Sequence, residues 1–318
     1  MNIAIMKRSI YIVLTLVLLT QSACQKDPLE EVINGNWNNE RNILSIKFEN
    51  QVGNAEIIRI DDVSGAVNLT INSNAAPDLS TLKVEEIVLS YGAKASIKTG
   101  DVLNFENTDN SISLLVTSPT GKKREYKVTV TPFTETLIGT YSIDNLILYG
   151  GTGPEYGGGE KLALNSKPWL WPTTNGPDKE LDNYLVFELT GITDDGNTFG
   201  TVTNFAGADG LYANFIFEGS PRTDVNHFYR KVPIGEGNWL RNYNTGLLTF
   251  TFEDGTETSG NYIDAGTQDL GNGFSHTITN NALVFNLNGV DDWDNIFSDY
   301  DKIVKKPRRY WIEMTKQE

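Results

Sequence analysis

In Ala66-Val67-Asn68-Leu69-Thr70-Ile71 the apolar residues recur, from Val67 on, at every second position. That is the period of a strand burying one face. Ile43-Leu44-Ser45-Ile46-Lys47-Phe48 before it nearly alternates, and Tyr126-Lys127-Val128-Thr129-Val130 after it does so strictly. Ile87-Val88-Leu89 and Ser111 to Val116 lie between them. Strands of this length, with turn residues between, predict an antiparallel sandwich of about ninety residues. No stretch of the chain shows the 3.6-residue apolar period of an amphipathic helix.

Pro132 to Glu135 ends this module, and Ile138-Gly139-Thr140-Tyr141 opens a second domain continued by Ile143 to Tyr149. Further strands are expected at Tyr184 to Leu189, Tyr212 to Phe217, Gly246 to Phe252, Ala282 to Asn288 and Tyr310 to Met314. Glu253-Asp254-Gly255-Thr256 carries an Asp-Gly pair suited to a tight hairpin, and Asp299 to Val304 suits a short helical turn. The fold class read from these residues is all-β, a β-sandwich followed by a larger antiparallel β-domain. That larger domain is expected first as a jelly-roll-type sandwich, with a closed, lipocalin-like up-and-down barrel as the alternative.

At the N-terminus Lys7 and Arg8 precede a nearly unbroken apolar run from Ile10 to Leu19, and Thr20-Gln21-Ser22-Ala23 then lead to Cys24. A run this short with small residues behind it reads as a cleaved signal peptide. Cys24 is the only cysteine, so an intramolecular disulfide does not explain it. Ser22-Ala23-Cys24 resembles the lipobox of bacterial lipoproteins, with Gln21 where an aliphatic residue is usual. The resemblance implies that residues 1–23 are removed and that Cys24 carries the lipid. Residues 24–41, rich in Asn and Glu, then read as a tether. Asp27 and Glu30-Glu31 resemble the acidic tracts that send Bacteroidota lipoproteins to the outer face of the outer membrane.

Loss of Lys7 and Arg8 with the leader takes the formal charge from −15 to −17. A phosphate backbone would repel such a chain, which argues against nucleic acid and suits a neutral or cationic ligand.

Ile43-Leu44-Ser45 with Phe48, Gln51-Val52-Gly53-Asn54-Ala55, Ala93 to Ser96 and Lys122 to Val130 together resemble the immunoglobulin-like module at the N-termini of Bacteroidota surface lipoproteins. The resemblance covers residues 42–133 and implies a spacer. Residues 134–318 are then the candidate ligand-binding domain.

Gly150 to Gly159 is too glycine-rich for a core strand, and it lacks the Lys-Ser/Thr of a phosphate-binding loop. Lys167-Pro168-Trp169-Leu170-Trp171-Pro172 follows, and on an extended backbone Trp169 and Trp171 share one face. Sugars stack their C–H faces on indole rings, and Asn175 and Asp178, with Glu180, Asp182 and Asn183, offer polar partners for hydroxyls. Trp239, Arg241 and Tyr243 alternate and form a second candidate wall. The competing reading makes these aromatics core or edge residues.

Asp194-Asp195-Gly196-Asn197 and Asp291-Asp292-Trp293-Asp294 raise the question of a structural calcium, with Asp291, Asp292 and Asp294 the better set. Neither loop has the EF-hand spacing, and Asp-Asp-Gly-Asn is also a common hairpin turn. No other cofactor is expected. Two histidines, no nucleophile elbow and no thiol beyond Cys24 leave little for catalysis. Glu155, Glu160, Glu180 and Glu236 are only what an acidic chain always offers a glycosidase. Lys305-Lys306-Pro307-Arg308-Arg309 reads as a patch neutralising nearby carboxylates, with Trp311 in the core.

Together these features resemble surface glycan-binding lipoproteins of Bacteroidota polysaccharide-utilisation systems, which implies a non-catalytic protein holding a carbohydrate outside the cell, beside an outer-membrane importer. An adhesion or structural protein and a glycoside-processing enzyme are the alternatives.

Overall fold

The computed structural model describes residues 37–73, 76 and 78–317. The leader, Cys24 and the tether up to residue 36 lie outside the described residues.

The first unit is a two-sheet sandwich. Its strands are β1 (Ile43–Phe48), β2 (Gln51–Arg59), β3 (Ser64–Asn72), β4 (Leu82–Leu89), β5 (Lys94–Ala95), β6 (Val102–Leu103), β7 (Ser111–Thr117) and β8 (Lys123–Phe133). One sheet runs β1-β4-β6 and the other β2-β3-β8-β7-β5. The alternation read from the chain is borne by the core: Val67, Leu69 and Ile71 of β3 and Tyr126, Val128 and Val130 of β8 all point inward. The expectation of a wholly antiparallel sandwich needs correction, because β3 and β8 pair in parallel, Val67 opposite Val128. Strands with apolar inner faces can pair either way, and only the chain's route decides which.

The second unit contains β9 (Gly139–Gly150), β10 (Glu160–Ala163), β11 (Tyr184–Ile192), β12 (Thr198–Phe205), β13 (Ile216–Phe217), β14 (Thr223–Asp224), β15 (Gly235–Arg241), β16 (Leu248–Thr251), β17 (Glu257–Gly271), β18 (Phe274–Asn286) and β19 (Pro307–Lys316). Strands β9, β11, β12 and β15 to β19 form an antiparallel meander, and β19 pairs back onto β9 from Pro307–Gly150 to Lys316–Tyr141. The result is a closed eight-stranded barrel, the second of the two arrangements open to the sequence, while short β10 and the outer half of the β17–β18 hairpin keep open edges.

Eight strands enclose a space that side chains can just fill or that holds one small ligand. Here it is filled. Tyr141 packs on Phe187, Phe187 on Trp239 and Phe250, Phe250 on Phe285, Phe285 on Tyr310, and Tyr310 on Tyr229, with ring centroids 5.4–6.5 Å apart. Strand β19 is buried on both faces: Tyr310, Ile312 and Met314 face the interior, while Trp311 belongs to a separate outer cluster with Tyr149, Ile278, Ala282 and Val284. That outer cluster exists because the β17–β18 hairpin shifts register between Asp264 and Gly266 and folds over the wall of the barrel. His276 lies on the Trp311 ring and Asn272 at the hairpin tip reaches Glu155.

The two units meet at the linker. The Glu135 carboxylate is buried and accepts hydrogen bonds from the Leu137 amide (3.0 Å), Thr198 Oγ1 (2.6 Å) and the Tyr243 hydroxyl, and it pairs with Arg241 Nη1 at 2.6 Å. Phe133, the last residue of β8, meets Tyr243 edge to face. The 193–197 turn docks on β2, with the Gly53 amide donating to Gly196 O at 2.9 Å. The strands of the sandwich therefore run from the end where residue 37 enters to the end that seats the barrel.

Candidate functional site

At the opposite end of β9 from the linker, three long connections converge: residues 151–183, 206–234 and 287–306. Their apolar residues close the barrel, with Leu164, Leu170, Trp171, Phe215, Phe217, Val225, Tyr229 and Ile303 all joining the interior cluster. The helical turn expected at Asp299 to Val304 is present as one turn of π-helix, Asp301–Lys305.

The glycine run has a packing cause. A Cβ on Gly151 would come within 2.1 Å of Gly158 O, and one on Gly158 within 2.6 Å of Ile296 O, so loop 151–159 can double back on itself and lie against loop 287–306 only without side chains. The two loops are tied by Asp301, whose carboxylate accepts from the Thr152 amide (2.7 Å) and hydroxyl (2.9 Å). Burial is the largest influence on Asp301 and, only partly offset by these bonds, holds its carboxyl above its ordinary value. Arg308 Nε donates to Gly151 O, and Lys302 and Lys167 reach Glu160 from either side.

On this tied base Tyr156, Trp169, Trp293 and Phe297 are each more than half exposed. Tyr156 and Trp293 meet edge to face at 4.8 Å, and Phe297 lies over Gly157. Lys167, two residues before Trp169, is ion-paired with Asp299, two residues after Phe297. Loops 151–170 and 287–299 thus present four rings on one end of the molecule.

The sequence-derived residues divide. Trp169 is outside and Trp171 is 2 % exposed, because Pro168 starts a 3-10 turn (Pro168–Leu170) and the backbone between the two rings is not extended. Trp171 Nε1 donates to Leu164 O at 2.7 Å and its ring packs on Phe215 and Tyr229, which makes it a core residue. Trp239 is corrected likewise: it is 1 % exposed inside the barrel and donates to Thr201 O and Glu188 O. Arg241 and Tyr243 sit at the linker end on Glu135, away from the exposed rings. Asn175 is half-buried and accepts the Asn214 amide through its carbonyl, and Asp178 is exposed beside Lys179.

Of the acidic candidates, Asp291 and Asp292 are engaged by neighbouring groups, while Asp294 is exposed. Asp291 pairs with Lys306 and Arg308 at 3.7 and 3.6 Å, and Asp292 caps its own turn through the Asp294 amide and Asn295. Asp194 and Asp195 belong to the turn docked on β2. Among the described residues no group of three or more His, Cys, Asp or Glu is placed to hold a metal ion. Glu180 is buried against Arg230 and the Ala213 amide and closes the barrel end.

Tyr156, Trp293 and Phe297 are exposed rings that the sequence reading does not single out. The only signal was that they stand in polar, glycine-rich or aspartate-rich loops, where no core strand claims an aromatic ring. No protein-family model matches this chain, and no curated protein matches it in sequence.

Proposed function

We propose that this chain is a non-catalytic surface lipoprotein that binds a carbohydrate at the far end of its barrel, held to the outer membrane through Cys24. One observation carries the reading: Tyr156, Trp169, Trp293 and Phe297 expose their rings together on loops pinned by Asp301, Arg308 and the Lys167–Asp299 pair. Loops already pinned lose little freedom when they meet a ligand. An exposed aromatic group rimmed by polar residues marks an interaction surface. Asp294, Asn295 and Asn165 in the same loops are exposed partners for hydroxyl groups. The packed barrel supports a surface site over an enclosed one, which suits a polymer passing across the end of the molecule. The order tether, sandwich, barrel, aromatic loops would hold that site away from the membrane for transfer to an importer.

The test is affinity electrophoresis through native gels containing plant, host and microbial polysaccharides. Retardation by one polymer, lost in folded Trp169→Ala and Trp293→Ala variants, is the expected result. Free migration of the wild-type protein in every gel would overturn the reading.

A further inference from the structure

The end of the sandwich where the described chain begins is built unlike an ordinary solvent-facing rim. Trp37, Ile60, Val63 and Tyr91 are each more than half exposed there. They stand on separate segments gathered by hydrogen bonds. Asn38 Nδ2 donates to Tyr91 O at 2.7 Å, Arg41 donates to Asn39 O, Asp62 O and Lys123 O, and the Glu125 amide donates to Val63 O at 2.9 Å. Ile60 and Val63 continue into a groove of about 730 Å³ that also includes Ile112. Charges at this end are mixed. Arg59, Lys122 and Lys123 are exposed, as are Glu40, Asp61 and Asp62; Asp61 accepts the Val63 and Ser64 amides, and Asp62 lies 3.9 Å from Arg41.

We infer that this end of the sandwich is a lipid-contacting face, with Trp37 and Tyr91 at headgroup depth and Ile60 and Val63 beside them. The inference rests on the lipid anchor in the proposed function, because the anchor's position selects the occupant. Twelve residues, thirteen Cα steps, separate Cys24 from Trp37. At about 3.5 Å per step the thirteen steps span at most about 45 Å, so a bilayer holding the Cys24 acyl chains stays within reach of this face at high effective concentration. Tryptophan and tyrosine are the residues favoured at membrane–water interfaces, since each has an apolar body and a polar tip. Lysine and arginine stems of the kind at Arg59, Lys122 and Lys123 can lie along the apolar surface with their heads in the phosphate layer. Contact here would stand the molecule upright and keep the aromatic loops turned from the membrane.

The experiment uses the full-length chain, processed and acylated in a bacterial host, then placed in phosphatidylcholine vesicles whose acyl chains are brominated near the headgroup. Tryptophan emission should fall relative to unbrominated vesicles. That loss should vanish in Trp37→Phe and persist in Trp169→Phe. Acylated, vesicle-bound protein without bromine-dependent quenching would overturn the inference alone, as would quenching that survives Trp37→Phe. A protein in which this face joins two copies, seen as a dimer in detergent, would overturn it too. A mass showing no acyl group on Cys24 would overturn the anchor and the inference together.

Discussion

Trp169 and Trp171 show how two like residues take opposite duties. Pro168 sets a 3-10 turn, one ring stays at the surface, and the other enters a cage of Phe215 and Tyr229. Trp171→Ala is expected to lower stability by about 3–5 kcal/mol through the lost contacts and the cavity left behind. Trp169→Ala is expected to stay within about 0.5 kcal/mol of wild type, and Trp293→Ala to cost at most about 1.5 kcal/mol through its edge-to-face contact with Tyr156. Urea denaturation of the three variants checks this. Losses in Trp169→Ala or Trp293→Ala as large as in Trp171→Ala would mean that those rings are buried as Trp171 is.

The element that joins the domains depends on one carboxylate. Burial is the largest influence on Glu135 and would raise its pKa. The hydrogen bonds from Thr198, Tyr243 and the Leu137 amide, with the charge of Arg241, outweigh it and hold the carboxyl below its ordinary 4.5. A carboxyl depressed on folding contributes stability that is present above its unfolded value and lost as pH falls through its folded one. Stability of the wild type should therefore fall more steeply below about pH 4.5 than that of Glu135→Gln, in urea melts across pH. Glu135→Ala leaves Arg241 and Tyr243 facing an empty site and is expected to cost roughly 3–5 kcal/mol at neutral pH. Small-angle scattering of that variant should also show a wider spread of domain orientations. An unchanged profile would mean that the Gly53–Gly196 and Phe133–Tyr243 contacts fix the junction without Glu135. The β17–β18 hairpin has a related fastening, with His276 Nε2 at 3.1 Å from Glu313 Oε1 over the Trp311 ring.

At the scale of the whole molecule the barrel is a solid support. Because Tyr141, Phe187, Trp239, Phe250, Phe285 and Tyr310 fill its interior, fatty acids and other small apolar ligands are expected not to bind inside it. Titration with a fluorescent fatty acid should give no saturable signal. A stoichiometric, saturable rise would show that the column of rings opens. The order of sandwich, junction and packed barrel places the exposed aromatic loops and the Trp37–Tyr91 face at opposite ends of the molecule.

The strand texture was legible locally because alternation is a property of neighbouring residues. Ile43 to Phe48 forms β1 over those same six residues, and Tyr184 to Leu189 lies within β11. The all-β class and the Asp254-Gly255 turn followed from the same short-range rules. Strand β17 was hidden because its outer half is polar and faces water, and the Tyr212 to Phe217 expectation shrank to the two residues of β13 because that segment serves the closure of the barrel end. Closure of the barrel, the parallel pairing of β3 with β8 and the burial of Trp239 depend on which distant strands meet. Neither alternation nor composition records that. The candidate site followed the same division: an aromatic residue's type is written in the chain, but whether its ring is covered is decided by distant segments, such as those carrying Phe215 and Tyr229 over Trp171. Only the tertiary structure could place Trp171 inside, leave Trp169 outside, and bring Trp293 and Phe297 to the same end of the barrel.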